Sequence, residues 1–330
     1  MQNRDPFSSV AAHAWMAHVM GLATSFYERQ LWSSPHAAQA RALLRSRRIS
    51  DQTAKLFRLG FAPPGWERLQ RYMAVQGVPL PALEQLGLVI ARRRGSGYFD
   101  KFRARLIFPT TDAQRVISLA GRAIMPADQG PKYNRTKSTD LSRATPALFA
   151  LDHASPQLAR TGRALLVEGF FDAMSLHQAG LTATAALSGT SLSSEQIDRL
   201  ARAGARSMTL LFDGDAGGRA SAQRLAAHLY RAPLPCRLAC CPDGQDPDQV
   251  VHALGAGGVA ALFEAAREPA DLMIDAVSVS AHASIEAKAR VLQELLAALA
   301  QTSRRPSSMQ VDRISLLFGI SAATVRHELL

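Results

Sequence analysis

Seven carboxylates stand on three short, glycine-bearing segments, six of them candidates for one site: Val167-Glu168-Gly169-Phe170-Phe171-Asp172, Phe212-Asp213-Gly214-Asp215-Ala216-Gly217-Gly218 and Pro242-Asp243-Gly244-Gln245-Asp246-Pro247-Asp248. Each follows a short apolar run. If those runs are neighbouring strands of a parallel sheet, Glu168, Asp172, Asp213, Asp215, Asp246 and Asp248 meet in one crevice beyond the strand ends. Gathered carboxylates repel, and hard divalent cations relieve the repulsion. Mg²⁺ or Mn²⁺ fits, because such ions bind a few carboxylates and keep positions open for phosphate oxygens. Two or more ions of this kind clamp the attacking and leaving oxygens of a phosphoryl transfer. A lone Asp-Gly-Asp is more often a turn or a helix cap. Three acidic segments in order, each after a strand, carry the stronger signal.

The elements that position these acids follow from apolar runs and breakers. After Gly162 the chain alternates strand and helix: strands at 164–167, 183–187, 207–212 and 237–241, helices at 172–179, 194–203, 220–230, 247–253 and 257–267. This pattern reads as a doubly wound, mostly parallel α/β sheet. Residues 269–330 read as helical, closing with a pair at 311–318 and 321–330 in which Ser321 is the N-cap. Before the α/β unit, helices are expected at 8–31, 36–46, 51–58, up to 72, and at 81–86. Residues 60–66, Gly-Phe-Ala-Pro-Pro-Gly-Trp, read as turns. Strands at 105–109 and 116–120 flank a turn, and 126–147 reads as a long loop. The expected divisions are an N-terminal helix (1–25), a basic α+β subdomain (26–160), the acidic α/β subdomain (161–256) and a helical subdomain (257–330).

Charge is unevenly spread. Residues 1–160 carry 23 Lys and Arg against 10 Asp and Glu, and 161–330 carry 15 against 17. A basic half beside a carboxylate-bearing half suits a polyanion track next to a metal site. An Arg-rich, GC-biased composition with a solvated surface is the plainer alternative. Cys236, Cys240 and Cys241 form neither a disulfide framework nor zinc-ligand spacing, so buried thiols and no zinc are expected. Residues 6–27 lack charged side chains, but polar residues interrupt the apolar ones throughout. A cytoplasmic protein with no membrane contact is expected.

Glu168-Gly169…Asp172 followed by Asp213-Gly214-Asp215 resembles the TOPRIM domain of primases, topoisomerases and some nucleases, and Gly244-Gln245-Asp246-Pro247-Asp248 resembles its third acidic motif in primases. Leu59-Gly-Phe-Ala-Pro-Pro-Gly-Trp66, Phe99-Asp-Lys-Phe-Arg-Ala-Arg-Leu-Ile-Phe-Pro109, Gly121-Arg122 and Pro131-Lys132-Tyr133-Asn134 resemble signatures of the bacterial DnaG-type DNA primase catalytic core. The resemblance runs from about Phe26 to about Phe263. It implies template-directed synthesis of short RNA primers on single-stranded DNA from NTPs. It makes Glu168 a general base or metal-bridging group, Asp213, Asp215 and Asp248 principal metal ligands, and Asp172 and Asp246 supporting ones. It also makes Arg103, Arg105, Arg122, Lys132, Tyr133, Asn134 and Arg143 nucleic-acid or nucleotide contacts. For Arg103 and Arg105, exposed positions on a strand face remain an equal alternative.

The chain departs from that family pattern in three places. Residues 1–160 hold no Cys/His cluster, so the family's zinc-binding domain is expected to be missing. Ala144 stands where the family has Lys, with Arg143 beside it. The tail after 269 is short for a helicase-interacting domain. These departures suggest a minimal primase of a mobile element or defence locus, with a helicase or a zinc-bearing initiation subunit acting in trans. Trp15, Met16, Val19 and Met20 would then belong to a docking helix, or to one packed on its own core. A TOPRIM nuclease and a non-catalytic nucleic-acid-binding subunit are the competing readings. A topoisomerase is disfavoured: strand passage needs a tyrosine nucleophile on a separate domain, and four of the five tyrosines (Tyr27, Tyr72, Tyr98 and Tyr133) precede the acidic unit.

Overall fold

The computed structural model describes residues 10–124, 131–136, 148–187, 191–278, 285–300 and 305–329. They form two compact units, residues 1–156 with 173–178, and residues 157–172 with 179–330.

In the first unit, helix α1 (Val10–Ser33) is followed by α2 (Ala38–Ser46), α3 (Asp51–Leu56), α4 (Arg68–Val75) and α5 (Leu80–Gln85). Four strands, β1 (Gly60–Ala62), β4 (Arg105–Asp112), β5 (Arg115–Ala123) and β6 (Tyr133–Arg135), pair antiparallel in the order β1-β4-β5-β6. A separate hairpin joins β2 (Val89–Ala91) to β3 (Tyr98–Asp100). Three readings are corrected here. Gly60–Ala62 is a strand, because β4 supplies its hydrogen-bond partners from more than 40 residues away. The β2–β3 hairpin was not expected at all. Helix α1 runs unbroken through the expected boundary at residue 25, and Met16, Val19, Met20, Ala23, Phe26, Tyr27 and Leu31 are buried. A helix with that much apolar surface already covered is core, so the docking-helix reading falls; Trp15 alone of the four named residues stays at 36% exposure. Gly60 lets β1 lie directly on α1: a Cβ there would stand 2.5 Å from the Cβ of Tyr27. Most of the long loop expected at 126–147 falls outside the described residues, and the part described holds β6.

Helix α6 (Leu151–Thr161) leads into the second unit. There β7 (Arg163–Val167), β8 (Thr184–Ala186), β9 (Ser207–Phe212) and β10 (Cys236–Cys240) form an all-parallel sheet in the order β10-β9-β7-β8. The connecting helices are α7 (Phe170–Gln178), α8 (Ser194–Arg202) and α9 (Ala216–Tyr230). Leu166, Val167, Leu210, Leu211, Phe212 and Leu238 are all buried, the near-continuous apolar runs that a parallel sheet covered by helices requires. Helix α10 (Pro247–Glu264) bends at Gly255, whose φ of 66° and ψ of −171° break it where two helices were expected. The chain ends in α11 (Pro269–Ser278), α12 (Ile285–Ala300), α13 (Ser308–Phe318) and α14 (Ala322–Glu328). Ile274, Leu295, Leu299, Val311, Ile314 and Val325 make their shared core. Ser321 caps α14 by accepting from the Thr324 N–H at 3.0 Å. Among the described residues no helix is long and apolar enough to cross a membrane.

Candidate metal centre and basic surfaces

The three acidic segments leave the carboxyl ends of β7, β9 and β10, which are adjacent strands of one parallel sheet. Each acid is placed by its own element. Glu168 follows the last residue of β7, and Asp172 lies in the first turn of α7. Asp215 is the N-cap of α9 and accepts from the Gly218 N–H at 2.7 Å. Asp246 is the N-cap of α10 and accepts from the Gln249 N–H at 2.8 Å, while the Gln249 side chain accepts from the Asp246 N–H in return. The local cap reading and the site reading are thus both true of these two residues. A cap engages one carboxylate oxygen and aims the other end of the group.

The second and third loops are in direct contact. Gly214 donates its N–H to the Gln245 carbonyl at 2.8 Å, and Gly244 donates to the Gly214 carbonyl at 3.0 Å. A Cβ on Gly214 would lie 1.9 Å from the Pro242 oxygen, so only glycine permits this approach. Arg219, on the first turn of α9, donates to both the Gly214 carbonyl (2.9 Å) and Asp243 (2.8 Å). These bonds fix Asp213 and Asp215 relative to Asp246.

The electrostatics are those of crowded acids. Asp172 is 8% exposed, and burial, with the charges of Asp246, Asp213 and Asp248, pushes its carboxyl up to about 7. Burial and the charges of Asp213 and Asp215 raise Glu168 above the usual carboxylate range, with Arg224 opposing them. One carboxylate oxygen of Glu168 is buried without a hydrogen-bond partner among the described residues. A buried carboxylate oxygen left so carries a cost that a cation removes. Burial and the neighbouring acids also push the Cys241 thiol up to about 12, which keeps it an inert core group as expected.

Asp248 has a different job from the expected one. Its side chain is 3% exposed and lies 2.9 Å from His252 Nε2, one turn along α10, while its N–H donates to Asp172 at 3.3 Å. This arrangement makes it a buried support for Asp172, not an open ligand. Nothing in the local pattern marked His252, which the i,i+4 spacing alone could have suggested. Among the described residues, no three His, Cys, Asp or Glu side chains stand grouped so that they could hold a metal ion between them. A Mg²⁺ ion would need only one or two of these carboxylates, because it keeps water or phosphate in most of its positions.

In the first unit, the expected basic residues divide. Arg105 is 6% exposed, and its guanidinium donates to the carbonyls of Gly121 (3.1 Å), Pro131 (3.1 Å) and Lys132 (3.4 Å). It holds the residue 131–132 segment against β5, so its expected role as a direct phosphate contact and the exposed-face alternative are both corrected. Arg122 and Tyr133 face each other across β5 and β6, the guanidinium 5.9 Å from the ring centre. Asn134 pairs with Gly121 in the same register, and Lys132 is exposed beside them. Arg143 lies outside the described residues.

Arg103 joins a different surface. Its guanidinium lies 4.4 Å from the Trp66 ring and 5.2 Å from Phe99, and it donates to the Asp100 carbonyl. Trp66 is 57% exposed, and with Glu67, Arg68, Arg71 and Arg92 it lines a hollow of about 430 Å³. Glu67 reaches Arg71 and Arg92 at 3.4 Å each, leaving an excess of positive charge around an open indole. Arg68, Arg71 and Arg92 were not singled out from sequence. An aromatic directly after Pro63-Pro64-Gly65, followed by two arginines within five residues, was the available signal.

Comparison with known proteins gives a consistent result. Residues 26–155 match the family described as "DNA primase catalytic core, N-terminal domain", and residues 165–251 match the Toprim-like family. A DNA primase of Myxococcus xanthus is 36% identical over 275 residues, which are 83% of this chain and 45% of that protein. A DNA primase of Synechococcus elongatus is 36% identical over 241 residues, 71% of this chain and 34% of its own length. The chain therefore spans less than half of these relatives. Among solved structures, a DNA primase domain from Pseudomonas aeruginosa matches with a TM-score of 0.82 at 28% identity, covering 95% of this chain and 99% of that one. A DnaG primase catalytic domain bound to ssDNA matches with a TM-score of 0.77 at 26% identity, covering 94% and 99%.

Proposed function

The chain belongs to the DnaG-type DNA primase family, with the N-terminal domain of the catalytic core followed by a Toprim domain, and from that premise we propose that it polymerises short RNA primers on single-stranded DNA. The observation that carries the reading is the meeting of three acidic loops at the ends of adjacent parallel strands, with a buried, unpartnered oxygen on Glu168. An all-oxygen donor set in which burial and neighbouring acids raise Glu168 and Asp172 fits Mg²⁺ or Mn²⁺. Glu168, Asp213, Asp215 and Asp246 would hold the ions, and Asp172 would support them from its buried position. Divalent ions bound there neutralise charge on the transferred phosphoryl group and on the attacking and leaving oxygens. Glu168, with its raised proton affinity, would take the proton from the attacking 3′-hydroxyl. Asp215 and Asp246, each capped through one oxygen, keep the other fixed in direction.

On the first unit, Arg122, Lys132, Tyr133 and Asn134 would grip nucleotide or template phosphates, contacts that position without reading sequence. Trp66 with its arginines would give an unpaired base a stacking surface, which favours single-stranded template. A solved relative bound to ssDNA supports that substrate class. An initiation subunit acting in trans, a helicase contact and a mobile-element setting belong to the same proposal. Site-selective synthesis at full rate by the chain alone would overturn the partner requirement.

The test is to incubate the purified chain with single-stranded DNA, labelled NTPs and Mg²⁺ or Mn²⁺. Short labelled RNAs are expected. Metal-dependent shortening of the DNA without labelled RNA would replace this reading with a Toprim nuclease. Binding of DNA with neither reaction, even with an initiation subunit present, would leave a non-catalytic subunit.

A further inference from the structure

The second unit carries opposite chemistry at the other end of its sheet. Arg163 and Arg237 sit in the first two residues of β7 and β10, and Arg206 directly precedes β9. These strands are neighbours, with Arg163 in register with Ser207 and Arg237 with Thr209. Ser207 and Thr209 are two apart on β9, so Arg163 and Arg237 share one face of the sheet. With strands about 4.8 Å apart, the three arginine positions span about 10 Å. Arg160, Arg202 and Arg231 close the helices α6, α8 and α9 that lead into the same three strands. All six arginines are exposed. Arg199, half-buried near Arg202, has its proton affinity lowered by burial and by that neighbouring cation.

Two acids, Glu264 and Glu268, stand at this end beside Arg163 and Arg237, against six arginines. Glu264 reaches Arg163 only at 4.0 Å, with side chains 81% and 78% exposed, and such a pair contributes almost nothing. Arg206 donates to the Thr161 carbonyl at 3.2 Å, a contact that leaves its charge in place. The helix-end arginines have a local explanation, since cations complement the negative ends of helix dipoles. Arg206 shares that explanation through the Thr161 carbonyl at the end of α6. Arg163 and Arg237 do not, since parallel strands have little net dipole.

We propose that this arginine edge is a separate nucleic-acid contact that holds the sugar-phosphate backbone of a double helix without reading sequence. Exposed guanidinium groups without base-reading partners are the chemistry of phosphate contact. The large exposed aromatics of the described residues, Trp15 and Trp66, both lie in the first unit. The rings beside Arg163 and Arg237, Tyr230 and Phe263, are buried and half-buried, and an edge without an openly exposed ring suits a duplex, whose bases are already stacked, better than a single strand. The inference does not depend on the metal reading of the acidic loops.

The experiment uses the intact chain and a short fluorescent DNA duplex, with a single strand of the same length as comparator, over a range of salt. Two variants are compared with the unchanged protein: Arg163→Gln/Arg237→Gln, and the same with Arg206→Gln. The double variant spares the Thr161 contact, so it tests the edge even if the triple fails to fold. Duplex affinity is expected to fall about tenfold at low salt, and the slope of log K against log salt to shrink by about 2. Single-strand affinity should change less. Unchanged affinity and slope in the double variant would overturn the proposal. Equal losses on both probes would overturn the assignment to a duplex.

Discussion

At the scale of single residues, protonation is the property most open to test. Asp172 holds its proton to about pH 7 in the folded chain, against an ordinary value of 3.8. The folded state thus binds more protons between those values, so this group's contribution to stability is full below about pH 4 and is lost as pH rises to 7. In EDTA, denaturant unfolding should show stability declining over that window, with a flatter profile for Asp172→Asn; identical slopes would contradict the assignment. If Glu168 is the proposed base, Glu168→Gln should lower primer synthesis by roughly 10²-fold or more, with little change in unfolding. Arg105→Ala should act oppositely. Removing a guanidinium from three carbonyls should cost about 1–3 kcal/mol of stability by chemical denaturation. The acids were legible in the sequence because each follows an apolar run. The inward turn of Arg105 was not, because its carbonyl partners are set by tertiary packing; the His252 contact of Asp248 is an i,i+4 pair on one helix that the spacing could have shown.

At the scale of elements, the loop joining β9 to α9 carries the arrangement. Gly214→Ala places a methyl group 1.9 Å from the Pro242 oxygen. The two loops must part, at a cost of about 1–3 kcal/mol and with loss of metal affinity. A variant that keeps both its melting temperature and its Mn²⁺ affinity would show that the loops need not touch. The helices and parallel strands of the second unit were readable from periodicity, and the start of α9 came four residues early because Asp215 caps it. The three-residue strand at Gly60 was not readable. Its hydrogen bonds go to β4, and the adjacent Pro63-Pro64-Gly65 dominates any local reading. The same masking hid Trp66, whose significance rests on its exposure beside Arg103 rather than on its neighbours in sequence.

At the scale of the molecule, the charge asymmetry of the two halves was visible in the sequence, but its internal arrangement in the second half was not. That half is nearly neutral by count, with acids at one end of the sheet and arginines at the other. Trp66→Ala should weaken single-strand binding by roughly 1–3 kcal/mol, measured by fluorescence anisotropy, and leave Mn²⁺ binding intact. The central claim is that the three acidic loops form a divalent-metal centre, and the most direct measurement is a Mn²⁺ titration followed by electron paramagnetic resonance. The unchanged chain should deplete the free-ion signal, and Asp213→Ala/Asp215→Ala should not, with near-unchanged circular dichroism in both. No depletion by the unchanged chain, even with nucleotide present, would contradict the account.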